Sequence, residues 1–561
     1  MRKNGRYIWI IFSAFLLVNI VISFFQQVPT THPDELCYIS QARHFAENFE
    51  YLRCRELLGK NITEGAPLHS ILLSPFYLLF RSQLAYRIIL LVNAILLSLL
   101  IFPLTGILRH YLKNEKKVIF GLLLTLAIPQ FSAYAHTLMS ETYFLATNIL
   151  FLYFYLKSFG SKDTKKFKFL SLLLAITAIF LRPFGFITIF SFLISEFILS
   201  KNKKKILVPL LFIFILSTIP IFTLKPQLFT KVFSAIFLVF TDFDSFKYLL
   251  YSIRDQINSF NIATITVLSV YFYTVLIQTD DEKIKTIRPY LLSFTFLNFL
   301  IGVHHIFGYY LGNLPGNLIT RYINVSLVLI IVFSFIFLFK GLKPKNKPSY
   351  FLTILVFFLP LAAYKLIWRG VSTPTFDLFK IVILDNFYLH LLVPTSIILL
   401  ALLCLKRIKT IMVISAIVLL TFSGYQKFGT TLVSRQYHSD DTLYAFFKDR
   451  EDKILIIDDK EYMYLSYESA ILESISEADI NRYKLFNNQI NDFDSSDNIA
   501  SFFYQKSLNQ VKNMDYQTLN ALFKEDNYDY VVSNLNLNLD KVRKTPKTGN
   551  IYKINYDNTD Y

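Results

Sequence analysis

Two adjacent carboxylates, Asp34 and Glu35, stand directly after Pro33 in the run Thr31-His32-Pro33-Asp34-Glu35-Leu36-Cys37-Tyr38. A carboxylate can take the proton of an attacking hydroxyl, so Asp34 is a candidate general base, with Glu35 beside it. The same pair has a structural use, because acids in the first turn of a helix complement its dipole and Pro33 suits a helix start. A third acid, Glu141, lies in Met139-Ser140-Glu141-Thr142 at the edge of an apolar run. Carboxylates at a membrane edge are costly and therefore count as functional candidates. Arg182, Arg321, His304, His305 and Lys225 supply cations or donors, the groups needed where a phosphate leaves with its charge. Each again has a second reading. Arg182 precedes Pro183 and marks a break between spans, Arg321 is placed to snorkel, and His304 and His305 sit among interfacial aromatics.

The elements that must hold these residues are membrane spans. The chain has 561 residues, 54% of them hydrophobic and 17% aromatic, with only 17% charged, too apolar a balance for a set of soluble domains. With about 20 apolar residues needed per crossing, about thirteen spans are expected. They fall near residues 7–25, 88–108, 118–134, 138–156, 169–181, 184–199, 206–224, 262–278, 290–310, 322–339, 350–364, 389–405 and 410–422. The first is read as a retained helix, because Gln26-Gln27-Val28-Pro29 offers no small-x-small cleavage site. The stretch 70–80 is read as an outer helix lying at the interface.

Basic clusters at residues 2–3, 113–117, 162–168, 201–205, 283–288, 340–347 and 406–409 then share one side, which the positive-inside rule makes cytoplasmic. The net charge of +17 is thus topological and calls for no nucleic acid. The reading is a multi-pass plasma (inner) membrane protein with its N-terminus inside. A transmembrane module, residues 1–426, carries its first external loop at 26–83, and a second outer piece spans 225–260. An extracytoplasmic α/β domain follows at 427–561, where Ile454-Leu455-Ile456-Ile457 and Tyr530-Val531-Val532 read as buried strands and 508–523 as helical. The expected fold class is therefore an all-α polytopic membrane bundle with a C-terminal α/β domain.

Of three cysteines, Cys37 and Cys54 share the first outer loop and Cys404 does not; a bridge between the first two and a pair of thiols are both open at this point. His32, His69 and His136 gather on the outer side, yet the first loop has no Asp-x-Asp pair. Asp242-Phe243-Asp244 is one, far from the first acid in sequence. No divalent metal or other cofactor is expected.

The ordered set Pro33-Asp34-Glu35, Pro67-Leu68 with an apolar helix, Ser140-Glu141, Arg182-Pro183 and Arg321-Tyr322 resembles the GT-C superfamily of glycosyltransferases. The nearest look is to the protein O-mannosyltransferases and the aminoarabinose transferases, which are similar to glycosyltransferase family 39. The resemblance covers roughly residues 7–340 and implies transfer of a sugar from a polyprenyl-phosphate donor to a glycan, lipid or protein acceptor outside the membrane. It maps the family's first-loop acid onto Asp34 and its second acid onto Glu141. It makes the basic residues above ligands of the donor phosphate. One departure is plain: Glu64-Gly65-Ala66, not a basic residue, precedes Pro67. The alternatives are a polysaccharide polymerase or ligase, whose large loops come late in the chain, and a transporter or flippase of lipid-linked sugars, whose halves commonly repeat.

Overall fold

The computed structural model describes residues 3–25, 33–51, 67–80, 82–128, 137–160, 162–203, 237, 239, 241–264, 267–311, 324–342, 446–447, 450, 452–457, 479–482, 528–533, 539–545 and 549–554. The chain divides into two compact units, one holding Met1–Val18, Ile95–Tyr134 and Glu141–Gly429, the other Asn19–Ala94, Ala135–Ser140 and Thr430–Tyr561. The helices are α1 (Lys3–Phe25), α2 (Pro33–Asn48), α3 (Pro67–Leu79), α4 (Ser82–Leu99), α5 (Ile101–Tyr111), α6 (Glu115–Leu126), α7 (Glu141–Ser158), α8 (Thr164–Leu181), α9 (Phe186–Leu199), α10 (Phe243–Ala263), α11 (Val267–Gln278), α12 (Glu282–Leu311) and α13 (Asn324–Lys340).

Among the described residues, three helical stretches are long and apolar enough to cross a membrane: Gly5–Phe24, Leu84–Tyr111 and Glu282–Gly308. The second is interrupted at Leu100, between α4 and α5. Pro103 has no N–H to return to residue 99, so the ladder breaks there and resumes with Leu104 N–H donating to Leu100 O at 3.0 Å. The spans expected at 206–224, 350–364, 389–405 and 410–422 lie outside the described residues, so the count of thirteen is not settled by the rest. One expected boundary is corrected. The apolar run 118–134 predicts one continuous span, but α6 closes at Leu126, three residues before Pro129, with Ala127 N–H turning back to Leu123 O; a proline disfavours helix in the residue before it.

In the first unit α7 packs most extensively on α8, α9 and α10 pack on α12, and α11 packs on α13. Lipid gives little hydrophobic drive between helices, so fit must hold them. Large rings supply much of it: Phe151, Tyr155, Phe192 and Tyr290 meet with centroids 5.1–5.9 Å apart. The helix ends near the basic loops are pinned by lysines. Lys117 donates to Phe339 O and Lys283 to His110 O, both at 2.6 Å, and Lys340 pairs with Asp281. Lys117 and Lys283 thereby satisfy terminal carbonyls that no further turn of helix can reach.

In the second unit α2 lies against α3. Its C-terminal part builds a five-stranded sheet from β1 (Lys453–Ile457), β2 (Asp479–Arg482), β3 (Tyr530–Ser533), β4 (Asp540–Thr545) and β5 (Gly549–Lys553), in the order β2-β1-β3-β5-β4. β1 runs parallel to both β2 and β3, with Ile454 opposite Tyr530, while β5 is antiparallel to β3 and β4. The two expected strands are the central pair, and Ile454, Leu455, Val531 and Val532 are fully buried, as continuous apolar runs covered on both faces require. β4 closes one edge with Asp540, Lys541, Arg543 and Lys544, charges that discourage further pairing. The helix expected at 508–523 lies outside the described residues.

Between α8 and α9 the chain turns through a short 3-10 segment, Pro183–Gly185. A Cβ at Gly185 would lie 2.0 Å from Ala178 O and 2.5 Å from Ile179 N, backbone atoms that cannot move aside without unwinding α8. We expect Gly185→Ala to destabilise the fold by about 1–3 kcal/mol or more, as overpacking does. Gly160→Ala, where a Cβ meets nothing within 4 Å, should be close to neutral. Thermal unfolding of both variants in detergent checks this; equal melting would show that the turn is not fixed by Gly185.

Candidate active site

Pro183 biases the residue before it toward extended backbone, and Arg182 duly closes α8 at φ −152°, ψ 137°, its N–H bonded to Ala178 O at 3.0 Å. Gly185 N–H donates back to Arg182 O at 2.8 Å, which holds the turn. Arg182 is thereby kept at the helix end, where its Nη1 donates to Glu141 Oε1 at 2.8 Å. Glu141 is the first residue of α7, so its carboxylate meets the positive end of the helix dipole as well as the guanidinium. The pair is buried, with side-chain exposures of 8% for Arg182 and 1% for Glu141, and the Phe144 ring lies 5.9 Å from the guanidinium carbon. Two turns along α7, Asn148 accepts from Thr188 Oγ1 at 2.7 Å and ties the helix to α9.

The second unit holds another acid, Glu35, in the first turn of α2 and fully buried. Its Oε1 accepts from Leu138 N at 2.8 Å, while His69 Nε2 on α3 donates to Leu138 O at 2.9 Å. Both backbone groups of one residue are thus held by side chains of the first loop. Tyr38 bonds Ser140 Oγ at 3.0 Å and stacks edge-on against His69, and Asn93 of α4 donates to Thr137 O at 2.9 Å. Ser70 donates to Gln41 at 2.8 Å, closing α3 onto α2. A non-helical stretch, residues 137–140, is therefore fixed from three helices, as buried backbone polar groups demand.

Of the acids expected to act, Asp34 lies in the first turn of α2, Glu35 clasps Leu138, and Glu141 meets Arg182. His304 and His305 lie on α12, both half-buried. Arg321 and Lys225 lie outside the described residues, as do His32, His136 and Cys54. Cys37 is disulfide-bonded. The Asp-x-Asp at 242–244 serves as a helix cap: Ser245 N and Oγ donate to Asp242 Oδ2 at 2.8 and 2.6 Å, and these bonds hold its carboxyl below the usual range. Among the described residues, no three His, Cys, Asp or Glu side chains converge as metal ligands.

Sequence reasoning missed two features. One is the pairing of Glu141 with Arg182, since both were named but not joined. The other is α10, read only as part of an outer hydrophilic piece, although Phe246, Leu249, Leu250, Ile253 and Ile257 recur at helical spacing. Its Arg254 and Asp255 form an ion pair at 2.7 Å with Tyr310 of α12 beside it. The Tyr310 hydroxyl donates to Asp255.

No protein-family model matches the chain, and no curated protein does. Among solved structures, ArnT from Cupriavidus metallidurans bound to undecaprenyl phosphate aligns over 98% of both chains at 11% identity, with a TM-score of 0.50. The chain shares the fold of this ArnT structure. ArnT in its apo state aligns over 97% of both chains at 13% identity and a TM-score of 0.47. An oligosaccharyltransferase from Archaeoglobus fulgidus aligns over 93% of this chain and 69% of its own at 11% identity and a TM-score of 0.45. Identities this low speak for the fold alone, and the chemistry must be argued from this chain's own residues.

Removing one member of the ion pair leaves a buried charge. Glu141→Gln and Arg182→Met should each destabilise the protein by about 3–5 kcal/mol, and the double replacement should recover most of that loss. Thermal unfolding of the three variants in one detergent measures it. Additive losses in the double variant would show that the two residues do not act as a pair.

Proposed function

We propose that this chain is a glycosyltransferase that takes a sugar from a polyprenyl-phosphate carrier and passes it to a hydroxyl-bearing acceptor, a glycan, lipid or protein, on the outer side of the membrane. The observation that carries the reading is the meeting of Glu141 and Arg182 in a buried ion pair, in a chain whose fold is shared with a protein solved bound to undecaprenyl phosphate. Both belong to the ordered set that resembles the GT-C enzymes, and burial of such charges is too costly to be incidental. The disulfide at Cys37 supports placing the first loop in an oxidising, extracytoplasmic compartment.

In the proposed reaction Asp34 takes the proton from the acceptor hydroxyl as its oxygen attacks the anomeric carbon. The bond from that carbon to the phosphate oxygen breaks, and the carrier phosphate leaves with the electron pair. Charge gathers on the leaving phosphate, and Arg182, Arg321, Lys225, His304 and His305 are assigned to meet it. Glu141 orients Arg182 and is assigned to assist in aligning donor or acceptor. Glu35 keeps its place in the catalytic group as the acid that fixes residues 137–140 beside Asp34's own helix. The chemistry as written uses no cofactor.

The test supplies purified full-length protein in nanodiscs with a panel of undecaprenyl-phosphate-linked hexoses and pentoses and an envelope extract as acceptor source. Release of free carrier phosphate is followed by mass spectrometry. One donor should be consumed, and Asp34→Asn should slow its consumption by about a hundredfold or more, since general base catalysis contributes at least that much. Failure of the wild type to consume any donor would overturn the function. Consumption by Asp34→Asn at the parent rate would overturn the base assignment alone.

A further inference from the structure

The face of α10 that meets α12 carries a group of side chains that the proposed reaction leaves unused. Lys247, Tyr248, Tyr251, Arg254 and Asp255 recur at spacings of one, three and four residues, which puts them on one side of the helix. Tyr310 of α12 completes the set. The Tyr248 and Tyr310 rings lie nearly parallel, 10° apart in plane and 5.8 Å between centroids, and Tyr251 lies 5.8 Å from Tyr310 at 56°. Arg254 stacks over the Tyr251 ring at 4.9 Å, with Lys247 5.8 Å away from the same ring.

Three bonds lock this group. Arg254 donates to Asp255 Oδ1 at 2.7 Å and to the Tyr310 hydroxyl at 3.3 Å, and that hydroxyl donates to Asp255. Asp255 is buried, whereas the three tyrosines and Arg254 remain half-exposed. An interfacial anchor tyrosine presents its hydroxyl to the headgroups. Here the Tyr310 hydroxyl is turned onto a charged pair and the rings are left as a fixed, half-open surface.

We infer that this surface is a sugar-binding platform, on which the apolar face of one pyranose or furanose ring rests against Tyr248, Tyr251 and Tyr310 while its hydroxyls bond Arg254, which buried Asp255 holds in place. The ring–face contact follows from the aromatic surface, and vicinal hydroxyls match a guanidinium whose donors are set in a planar fork. Asp255 neutralises Arg254, so the guanidinium itself offers an anion little net charge, and the positive charge left in the group is that of exposed Lys247; a neutral polyol loses nothing by the pairing. The bound ring belongs to the sugar of the lipid-linked donor or to the acceptor, two sources of one chemistry. The inference rests on the glycosyltransferase reading only for that choice of source.

Saturation-transfer NMR on the full-length protein in nanodiscs, with a panel of methyl hexosides and pentosides and with glycerol as a non-cyclic control, tests it. At least one glycoside should receive saturation from the protein's aromatic protons and glycerol should not. Tyr251→Ala and Tyr248→Ala should weaken glycoside binding by about tenfold or more, as loss of an aromatic anchor does, while Tyr251→Phe, which keeps the ring, should bind like the parent. A saturating polyprenyl phosphate without sugar should displace the glycoside if the ring is the donor's and leave it in place if it is the acceptor's; both support the platform. Binding of that polyprenyl phosphate is read separately by native mass spectrometry. A parent that binds glycoside but not the carrier would keep the platform and sink the donor reading. No glycoside signal from the parent, or a parental signal from Tyr251→Ala in protein of parental melting temperature, would leave the tyrosines as membrane anchors and overturn the inference.

Discussion

A carboxylate and a guanidinium buried against each other at the ends of two neighbouring helices set the terms for the larger unit. Burying either Glu141 or Arg182 without the other would leave an uncompensated charge, and the 2.8 Å contact makes each the condition for the other. That contact exists because α8 stops at Pro183, because Gly185 lets the chain pass within reach of Ala178, and because α7 begins at the acid itself. Backbone punctuation thus comes before electrostatics. A helix continued by one turn through residue 182 would carry the guanidinium away from its partner.

The smaller unit solves a similar problem by hydrogen bonds to backbone. Residues 137–140 follow no helix or strand, and their amides would be unsatisfied if buried bare. Glu35 and His69 take the two backbone groups of Leu138, while Tyr38 and Asn93 take neighbours on either side. Two first-loop helices and the helix that follows them therefore act as a template for a later piece of chain, up to about a hundred residues further on. This gives Glu35 a structural use, distinct from the one proposed for its neighbour Asp34.

Much of this could be read in the sequence where local chemistry decides. Pro33 and Pro183 marked the start of α2 and the end of α8, the apolar runs gave most helices to within a few residues, and Ile454–Ile457 and Tyr530–Val532 were seen as strands from their β-branched content. What depended on tertiary geometry could not be read. The pairing of Glu141 with Arg182 needs the register of α7 on α8, and the clasp on Leu138 needs a contact across about a hundred residues of sequence, which no local pattern encodes. α10 escaped for another reason: its polar residues lowered its mean hydropathy below that of a span, and its helical periodicity was outweighed by composition.

The proposed reaction requires the protein to recognise a lipid carrier through its phosphate. Thermal unfolding of the full-length protein in nanodiscs, titrated with a polyprenyl phosphate and, separately, with the polyprenol of the same length, tests this. Saturable stabilisation by the phosphate is expected, reaching about 2.7 kcal/mol at a hundredfold excess over its dissociation constant, and little from the alcohol. Equal stabilisation by both lipids, or none by either, would contradict it.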